Sequence, residues 1–277
     1  LRHMSLLEIE GLTHSFGDNL LYKNAGFSLN KGEHIGIVGQ NGAGKSTLIK
    51  ICTETIIPDA GRIIWQPKIT IGYLDQYAEI DHMMTMKSFL QSAFSHLYEI
   101  EAKMIRLYEK AANGDMDCLG VAAQLQEELE RCDFCSIDTH IEQVANGLGL
   151  LAIGLNRPIE QMSGGQRAKT ILAKLLLEKP DVLLLDEPTN FLDKEHVEWL
   201  SDYLFNLENA FMVVSHDYTF LDRIANRICD IDNDTITKYY GTYSEFLKKK
   251  TLLREDYVRQ YSAQQKEIKR TEEFIRK

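Results

Sequence analysis

The spacing of hydrophobic and polar positions changes twice along the chain and divides it into three regions. Residues 6–12 and 25–29 read as short strands around the turn signal Gly17-Asp18-Asn19, and Asn30-Lys31-Gly32 ends the second. Residues 34–38 form an apolar strand that feeds a glycine-rich loop, and 47–53 continues as helix. Further strands are expected at 61–65 and 69–74. Between Gln76 and Ser163 the pattern turns helical. Across 86–112, Phe89, Leu90, Ala93, Leu97, Ile100, Met104 and Leu107 recur at close to the ~3.6-residue period. Asn113-Gly114-Asp115 breaks that run, and helices follow at 121–131 and 136–148, the second with Ser136 as expected N-cap. From Ser163 the alternation returns: helix to 177, strand 182–185, helix 195–205, strand 211–214, helix 218–225. Such alternation implies a parallel α/β sheet, closed here by a hairpin of 227–231 and 235–239. Residues 244–277 lack Gly and Pro and read as one uncapped helix, the start of a longer one.

Composition narrows the picture. A chain of 277 residues with 44% hydrophobic side chains holds one or two domains with a sizeable core. No run approaches the ~18 apolar residues of a membrane span. No secretory signal is visible, and five irregularly spaced cysteines suit a reducing cytoplasm. Leu1-Arg2-His3-Met4 is expected to be a cloning scar ahead of a natural Met4 start. Cys132-x-x-Cys135, near Cys118 and His140, lacks a second pair and reads as free buried thiols rather than a metal site. The formal charge of −10 is unevenly shared, because residues 244–277 carry ten Lys/Arg against six Asp/Glu. The helical insert at 77–146 carries about −8, which argues against its touching nucleic-acid phosphate. Such contact would fall to the basic tail, although charge alone is better explained by a solvated helix.

The chemistry lies in five motifs in a fixed order. Gly39-Gln40-Asn41-Gly42-Ala43-Gly44-Lys45-Ser46 fits the GxxxxGK[ST] phosphate loop in the strand–loop–helix setting it requires. Its glycines let backbone N–H groups converge on phosphate, and the helix behind directs its positive end at the same anion. Lys45 supplies charge to the β and γ phosphates; Ser46, with Thr47 behind it, offers a hydroxyl to Mg²⁺. Asp186, at the carboxyl end of an apolar strand, is expected to hold Mg²⁺ through water, and Glu187 to polarise the attacking water. His216, after Val213-Val214-Ser215, would bridge water, γ-phosphate and Glu187, and Gln76 would sense metal and γ-phosphate. Ser163, Gly164, Gly165 and Gln166, following Met162, make a second anion-binding helix start. One phosphate loop already surrounds its own nucleotide, so this second end makes sense if it serves a nucleotide held by a partner, as in a two-fold sandwich. The set predicts an ATP- and Mg²⁺-binding ATPase.

Across about residues 5–240 these motifs resemble the nucleotide-binding domain of the ATP-binding cassette (ABC) superfamily. Asp186-Glu187-Pro188-Thr189-Asn190-Phe191-Leu192-Asp193 is similar to the DEPTNHLD run of the ABC-F subfamily, and Tyr240-Gly241-Thr242-Tyr243-Ser244 to its YxGNYS-type element. The resemblance implies an α/β P-loop NTPase: a RecA-like core, an antiparallel β subdomain, and a helical subdomain with an arm insert at about 77–180. The cassette would occupy 5–243, and 244–277 would begin a truncated linker helix. It also implies Phe16 stacked on adenine, Asp193 in the loop facing the opposite cassette, and a second cassette in the same full-length chain. The partners implied are ribosome and tRNA, in the cytoplasm and without a membrane. Lys248-Lys249-Lys250, Arg254, Arg259, Lys266, Lys269 and Arg270 would then meet RNA phosphate, and Tyr261, Ile268 and Ile275 a returning helix. Phe191 replaces the usual His and Met162 the usual Leu. The function so implied is modulation of translation, either housekeeping or antibiotic resistance by ribosome protection. The alternatives are an ABC membrane transporter's ATPase subunit or a DNA-associated ABC-F relative. The fragment alone is expected to be a slow ATPase, monomeric or weakly dimeric with ATP.

Overall fold

The computed structural model describes residues 5–75 and 83–275. The first two strands are longer than their apolar periods suggest. β1 (Leu7–Phe16) and β2 (Asn19–Leu29) pair antiparallel, Leu7 opposite Leu29 and Phe16 opposite Asn19. Register shifts after Ile9 and Leu12 break the alternation while the ladder continues, so side-chain period and strand length part company. β3 (His34–Gly39) leads through the glycine loop into α1 (Lys45–Cys52), and β4 (Ala60–Trp65) pairs with the other edge of β1. β5 (Ile71–Tyr73) is shorter than expected.

The helical region follows. The single helix expected over 86–112 is two, α2 (Met86–Gln91) and α3 (Ser95–Ala112), parted by a 3-10 turn at Ser92–Phe94. Ser92 Oγ donates to the Phe89 carbonyl at 2.5 Å, a local bond that competes with the helical ladder. α4 (Cys118–Arg131) and α5 (Ile137–Gly147) come next. Ser136 precedes α5, yet its hydroxyl donates to Asp133 at 2.8 Å instead of capping the helix. Cys132 and Cys135 are exposed, not buried, because this turn lies on the surface. The chain continues through α6 (Gly164–Glu178), β6 (Val182–Asp186), α7 (Lys194–Phe205), β7 (Ala210–Val214), α8 (Tyr218–Ile224), β8 (Arg227–Asp232), β9 (Thr235–Tyr240) and α9 (Tyr243–Ile275).

Among the described residues the strands form two sheets, β2-β1-β4 and β5-β6-β7-β3-β8-β9. The second is parallel except for β9, which runs antiparallel to β8. Successive strand side chains point to opposite faces, so the unbroken apolar run of β6 needs cover on both sides. Leu183 and Leu185 join a core with the helices α5 to α8, while Val182 and Leu184 join another with α1 and the three-stranded sheet. β7 divides in the same way, Phe211 and Val213 against Met212 and Val214. This α/β architecture is the P-loop cassette fold the motifs called for.

The root of α9 is fastened to the body. Phe246 is buried, Tyr243 stacks on Tyr218 of α8 at 4.8 Å, and Lys250 Nζ reaches Asp230 at 2.6 Å and Asp232 at 3.0 Å. Lys249 donates to the Tyr240 carbonyl at 2.5 Å. Two of the three lysines read as phosphate-binding are therefore bound to the protein itself, while Lys248, Arg254, Arg259 and Lys266 remain exposed. Tyr261 and Ile268 are about half exposed, at 54% and 49%. The side chains of Lys269, Arg270 and Ile275 lie outside those described. Among the described residues no helix is long and apolar enough to cross a membrane.

The helical layer is keyed to α7 by a close approach. A Cβ at Gly147 would stand 2.0 Å from the Trp199 ring, which stacks on Tyr203 at 5.4 Å, so the indole would have to shift to admit it. Gly147→Ala is expected to lower stability by about 2 kcal/mol or more through overpacking. Trp199→Leu in the same chain should recover part of that loss. Chemical denaturation of the three variants checks this, and an unchanged midpoint for Gly147→Ala would contradict it.

Candidate functional site

Three neighbouring strands, β6, β7 and β3, end side by side and deliver the motif residues to one edge of the sheet. The carboxyl ends of parallel strands are where ligands gather in open α/β sheets. Asp186 ends β6 opposite Val214 of β7, His216 follows β7, and the glycine loop follows β3. His216 and the glycine loop border a cleft of about 530 Å³. Phe16 and Asn19 form one wall, Gly42, Lys45, Ser46 and Thr47 the floor, and Glu187 and His216 the far side. Phe16 is 66% exposed, a free aromatic face at the mouth. Gly39, Gln40, Asn41, Ala43 and Gly44 complete the loop, and Gln40 and Ala43 also border a second cleft behind it.

The polar side chains are already engaged with one another. Ser46 Oγ donates to Asp186 Oδ1 at 3.0 Å, which brings a hydroxyl and a carboxylate oxygen to one point. Lys45 Nζ donates to the carbonyls of Gly39 at 2.9 Å and Gln40 at 3.1 Å. Burial lowers the Lys45 pKa, and the nearby carboxylates of Glu187 and Asp186 oppose that shift. Glu187 sits at φ 50, a left-handed conformation uncommon for a side-chain-bearing residue and typical of functional sites. The strained turn is held by Glu187 N donating to the Val214 carbonyl at 2.8 Å. Glu187 Oε2 accepts from His216 N at 3.2 Å, and Oε1 lies 3.4 Å from His216 Nε2. That Oε1 atom is buried and makes no hydrogen bond. Burial raises the Glu187 pKa, and the His216 backbone bond and charge only partly counter it.

The groups fit a Mg²⁺–triphosphate ligand on this geometry. Ser46 and Asp186 offer hard oxygen donors of the kind Mg²⁺ takes. The Glu187 carboxylate oxygen that makes no hydrogen bond suits a water molecule. Gln76 lies outside the described residues, so its place beside the metal is not part of this picture.

Ser163 begins α6 as a capping box, accepting from Gln166 N at 3.2 Å while Ser163 N donates to Gln166 Oε1 at 3.0 Å. Gly164 and Gly165 are exposed with open space around them. None of Ser163, Gly164, Gly165 and Gln166 lines the cleft. The two departures from the family pattern are apolar fits. Met162 is buried with its sulfur accepting from Thr170 at 3.7 Å, and Phe191 packs on the helical-side core. Asp193, ahead of α7, lies 4.0 Å from Lys169 of α6 and 3.6 Å from His196. Sequence reading missed Asn19 and Leu21, which line the cleft from β2, and Tyr22 behind the loop. Their signal was the uninterrupted strand beneath a broken period.

The family follows from comparison with known proteins. The ABC transporter family model matches residues 22–190, and an ABC transporter extension model matches 229–277. The chain belongs to the ATP-binding cassettes of the ABC transporter family. It is 41% identical over 98% of its length to an uncharacterized ABC transporter ATP-binding protein, YfmM, of Bacillus subtilis, covering 53% of that protein. It is 35% identical over 92% of its length to the energy-dependent translational throttle protein EttA of Haemophilus influenzae, covering 46% of it. It is 32% identical over 97% to ABC transporter F family member 2 of Arabidopsis thaliana, covering 41%. The chain thus spans about half or less of these relatives. The solved ATP-binding subunit of an ABC transporter superposes with a TM-score of 0.63 at 20% identity, over 92% of this chain and 99% of that one, which shows the shared fold.

The raised Glu187 pKa gives a pH prediction. A carboxyl that keeps its proton more tightly when folded adds stability below the ordinary glutamate range of about 4.3, and that contribution is lost as pH rises through the folded value. Glu187→Gln keeps the uncharged state throughout. It should melt with the wild type in acid and about 1–3 °C higher at pH 8. Melting curves across this range check it, and parallel pH profiles for the two proteins would contradict it.

Proposed function

We propose that this chain is the first cassette of an ABC-F protein that binds and hydrolyses MgATP and acts on translation at the ribosome. The observation that carries the nucleotide half is the meeting of Lys45, Ser46, Glu187 and His216 at one cleft, with Asp186 bonded to Ser46. The translation half is supported by likeness to EttA and to an F family member, and by the motif run from Asp186 to Asp193. The exposed basic side chains of α9 suit RNA phosphate, in an otherwise acidic chain. The proposed division is a cassette over 5–243, with an arm-bearing helical subdomain at about 77–180, and a linker from 244.

In the proposed mechanism Phe16 presents its exposed ring to the adenine, and the loop amides of residues 39–46 with Lys45 hold the phosphates. Ser46, Asp186 and Gln76 would hold Mg²⁺, which when bound neutralises phosphate charge. Glu187, its pKa raised by burial, orients and polarises the attacking water through Oε1. His216 keeps the carboxylate in place through its backbone N–H and faces the γ-phosphate with its half-exposed ring. Ser163 and its glycines, which stand outside this chain's own cleft, serve the nucleotide of the opposing cassette. Closure of two cassettes around ATP then favours one state of the whole protein, and hydrolysis releases it.

Three measurements test this. Glu187→Gln should retain MgATP while lowering turnover about 100-fold or more; surviving turnover would remove Glu187 from the water-activating role. For the chain alone, turnover should be slow and should rise more steeply than linearly with protein concentration. Linear activity in a strictly monomeric sample would defeat the composite site. Co-sedimentation of the full-length Glu187→Gln protein with ribosomes in MgATP tests the translation half. Retention on DNA or in membranes instead would overturn it.

A further inference from the structure

Tyr22 is fully buried, and its hydroxyl donates to the carbonyl of Gly44 in the phosphate loop. A buried tyrosine hydroxyl ordinarily finds a partner, so the bond alone says little. Its acceptor says more. The Gly44 carbonyl also accepts the first helical bond of α1, from Leu48 N at 2.9 Å, so both of its lone pairs are used. A trans peptide is planar and directs its C=O and N–H to opposite sides. Fixing the Gly44 carbonyl from behind therefore fixes the direction of the Lys45 N–H in front. Gly44 and Lys45 both line the cleft.

We infer that Tyr22 is a positioning residue for the phosphate site: its hydroxyl sets the Gly44–Lys45 peptide plane so that the Lys45 N–H is aimed at the phosphates before nucleotide arrives. This deepens the nucleotide-binding reading above and rests on it. A donor oriented in advance costs no reorganisation on binding, whereas a free peptide plane must be ordered by the ligand.

The surroundings leave Tyr22 little else to do. Gly44 sits at φ 100, and a Cβ there would stand 2.5 Å from the Tyr22 oxygen and 3.2 Å from Leu21. The glycine thus admits the tyrosine as well as the left-handed turn. Leu21 and Tyr22 are buried in succession and Lys23 and Asn24 exposed in succession, an interruption of strand alternation. Asn24 lies at φ 50, and its N–H donates to Thr13 Oγ1 at 3.0 Å, where the β1–β2 register shifts. That bulge turns Tyr22 toward the loop, as bulges beside active sites often do. Burial, with Cys229 and Cys52 adding to it, pushes the Tyr22 pKa well above the ordinary tyrosine range. The hydroxyl therefore remains a donor at every working pH.

The test is Tyr22→Phe, which keeps the ring and deletes only the donor. The MgATP dissociation constant should rise about three- to tenfold, as loss of one net hydrogen bond allows. The rise in melting temperature caused by saturating MgATP should shrink, while the nucleotide-free melting temperature changes little. A merely structural role would lower the nucleotide-free value and leave the MgATP increment and affinity intact, and that result would overturn the assignment. If the variant does not fold, 3-fluorotyrosine at position 22 decides the matter. Fluorine makes the hydroxyl a stronger donor without removing it, so the MgATP dissociation constant should fall; an unchanged constant would overturn the assignment. Failure of the unmodified chain to respond to MgATP would overturn the nucleotide reading as well, whereas a normal response matched by Tyr22→Phe sinks the Tyr22 role alone.

Discussion

The arrangement depends on where β3 stops. This strand is buried between β7 and β8 and hands the chain to a loop that carries no secondary structure until Lys45. A loop made of Gly39, Gly42 and Gly44 has no stiffness of its own. Its shape must come from what surrounds it, and every neighbour contributes. β6 and β7 set Asp186 and His216 alongside, α1 begins within the loop, and β2 presses Tyr22 against its last glycine. The three-stranded sheet is thus more than a cover for the apolar face of the larger one. It brings Phe16, Asn19 and Leu21 to the cleft's other wall.

Polar satisfaction at the site is incomplete in a patterned way. Ser46, Asp186, Lys45 and Glu187 Oε2 all have hydrogen-bond partners, yet buried Glu187 Oε1 makes no hydrogen bond and has only the His216 ring nitrogen at 3.4 Å. Four other buried polar atoms among the described residues, on His14, His196 and Arg227, also make no hydrogen bond, but Glu187 lines the cleft, where a polar ligand could supply the bond. The left-handed backbone at Glu187 points the same way, since strain of this kind persists only where the surroundings enforce it. The Val214 carbonyl and the His216 N–H supply that enforcement.

Much of this was legible in the sequence, and the misses share one cause. Val182 to Leu185 could be read as a doubly buried strand, and Ser163 with Gln166 as a helix start, because each signal is local and survives folding unchanged. The β3–loop–α1 unit was likewise visible, since glycine spacing and one lysine define it. Errors came where polar side chains redirect the backbone. Ser92 bonds back to Phe89 and interrupts the helix, Ser136 prefers Asp133 to its capping task, and the β1–β2 register slips leave two strands looking half their length. The pairing of Lys250 with Asp230 and Asp232 was invisible for a different reason: it joins a helix to a strand through space, and composition counts every lysine as free.

That pairing bears on what α9 is able to do. Its first two turns are held by Phe246, by the Tyr218–Tyr243 stack and by Lys250. Two of these attachments lead back toward the cleft. Tyr218 opens α8 directly after His216 and Asp217, while Asp230 and Asp232 flank Ile231, which is paired with Gly39 in the sheet. Beyond Lys250 the described side chains are exposed, among them Leu252, Leu253, Tyr257 and Val258. A long helix without tertiary cover gains little from its own hydrogen bonds, and apolar side chains left in water gain nothing from burial. The orientation of this helix is therefore set at its root, by side chains rooted in the elements that form the cleft, and not along its length.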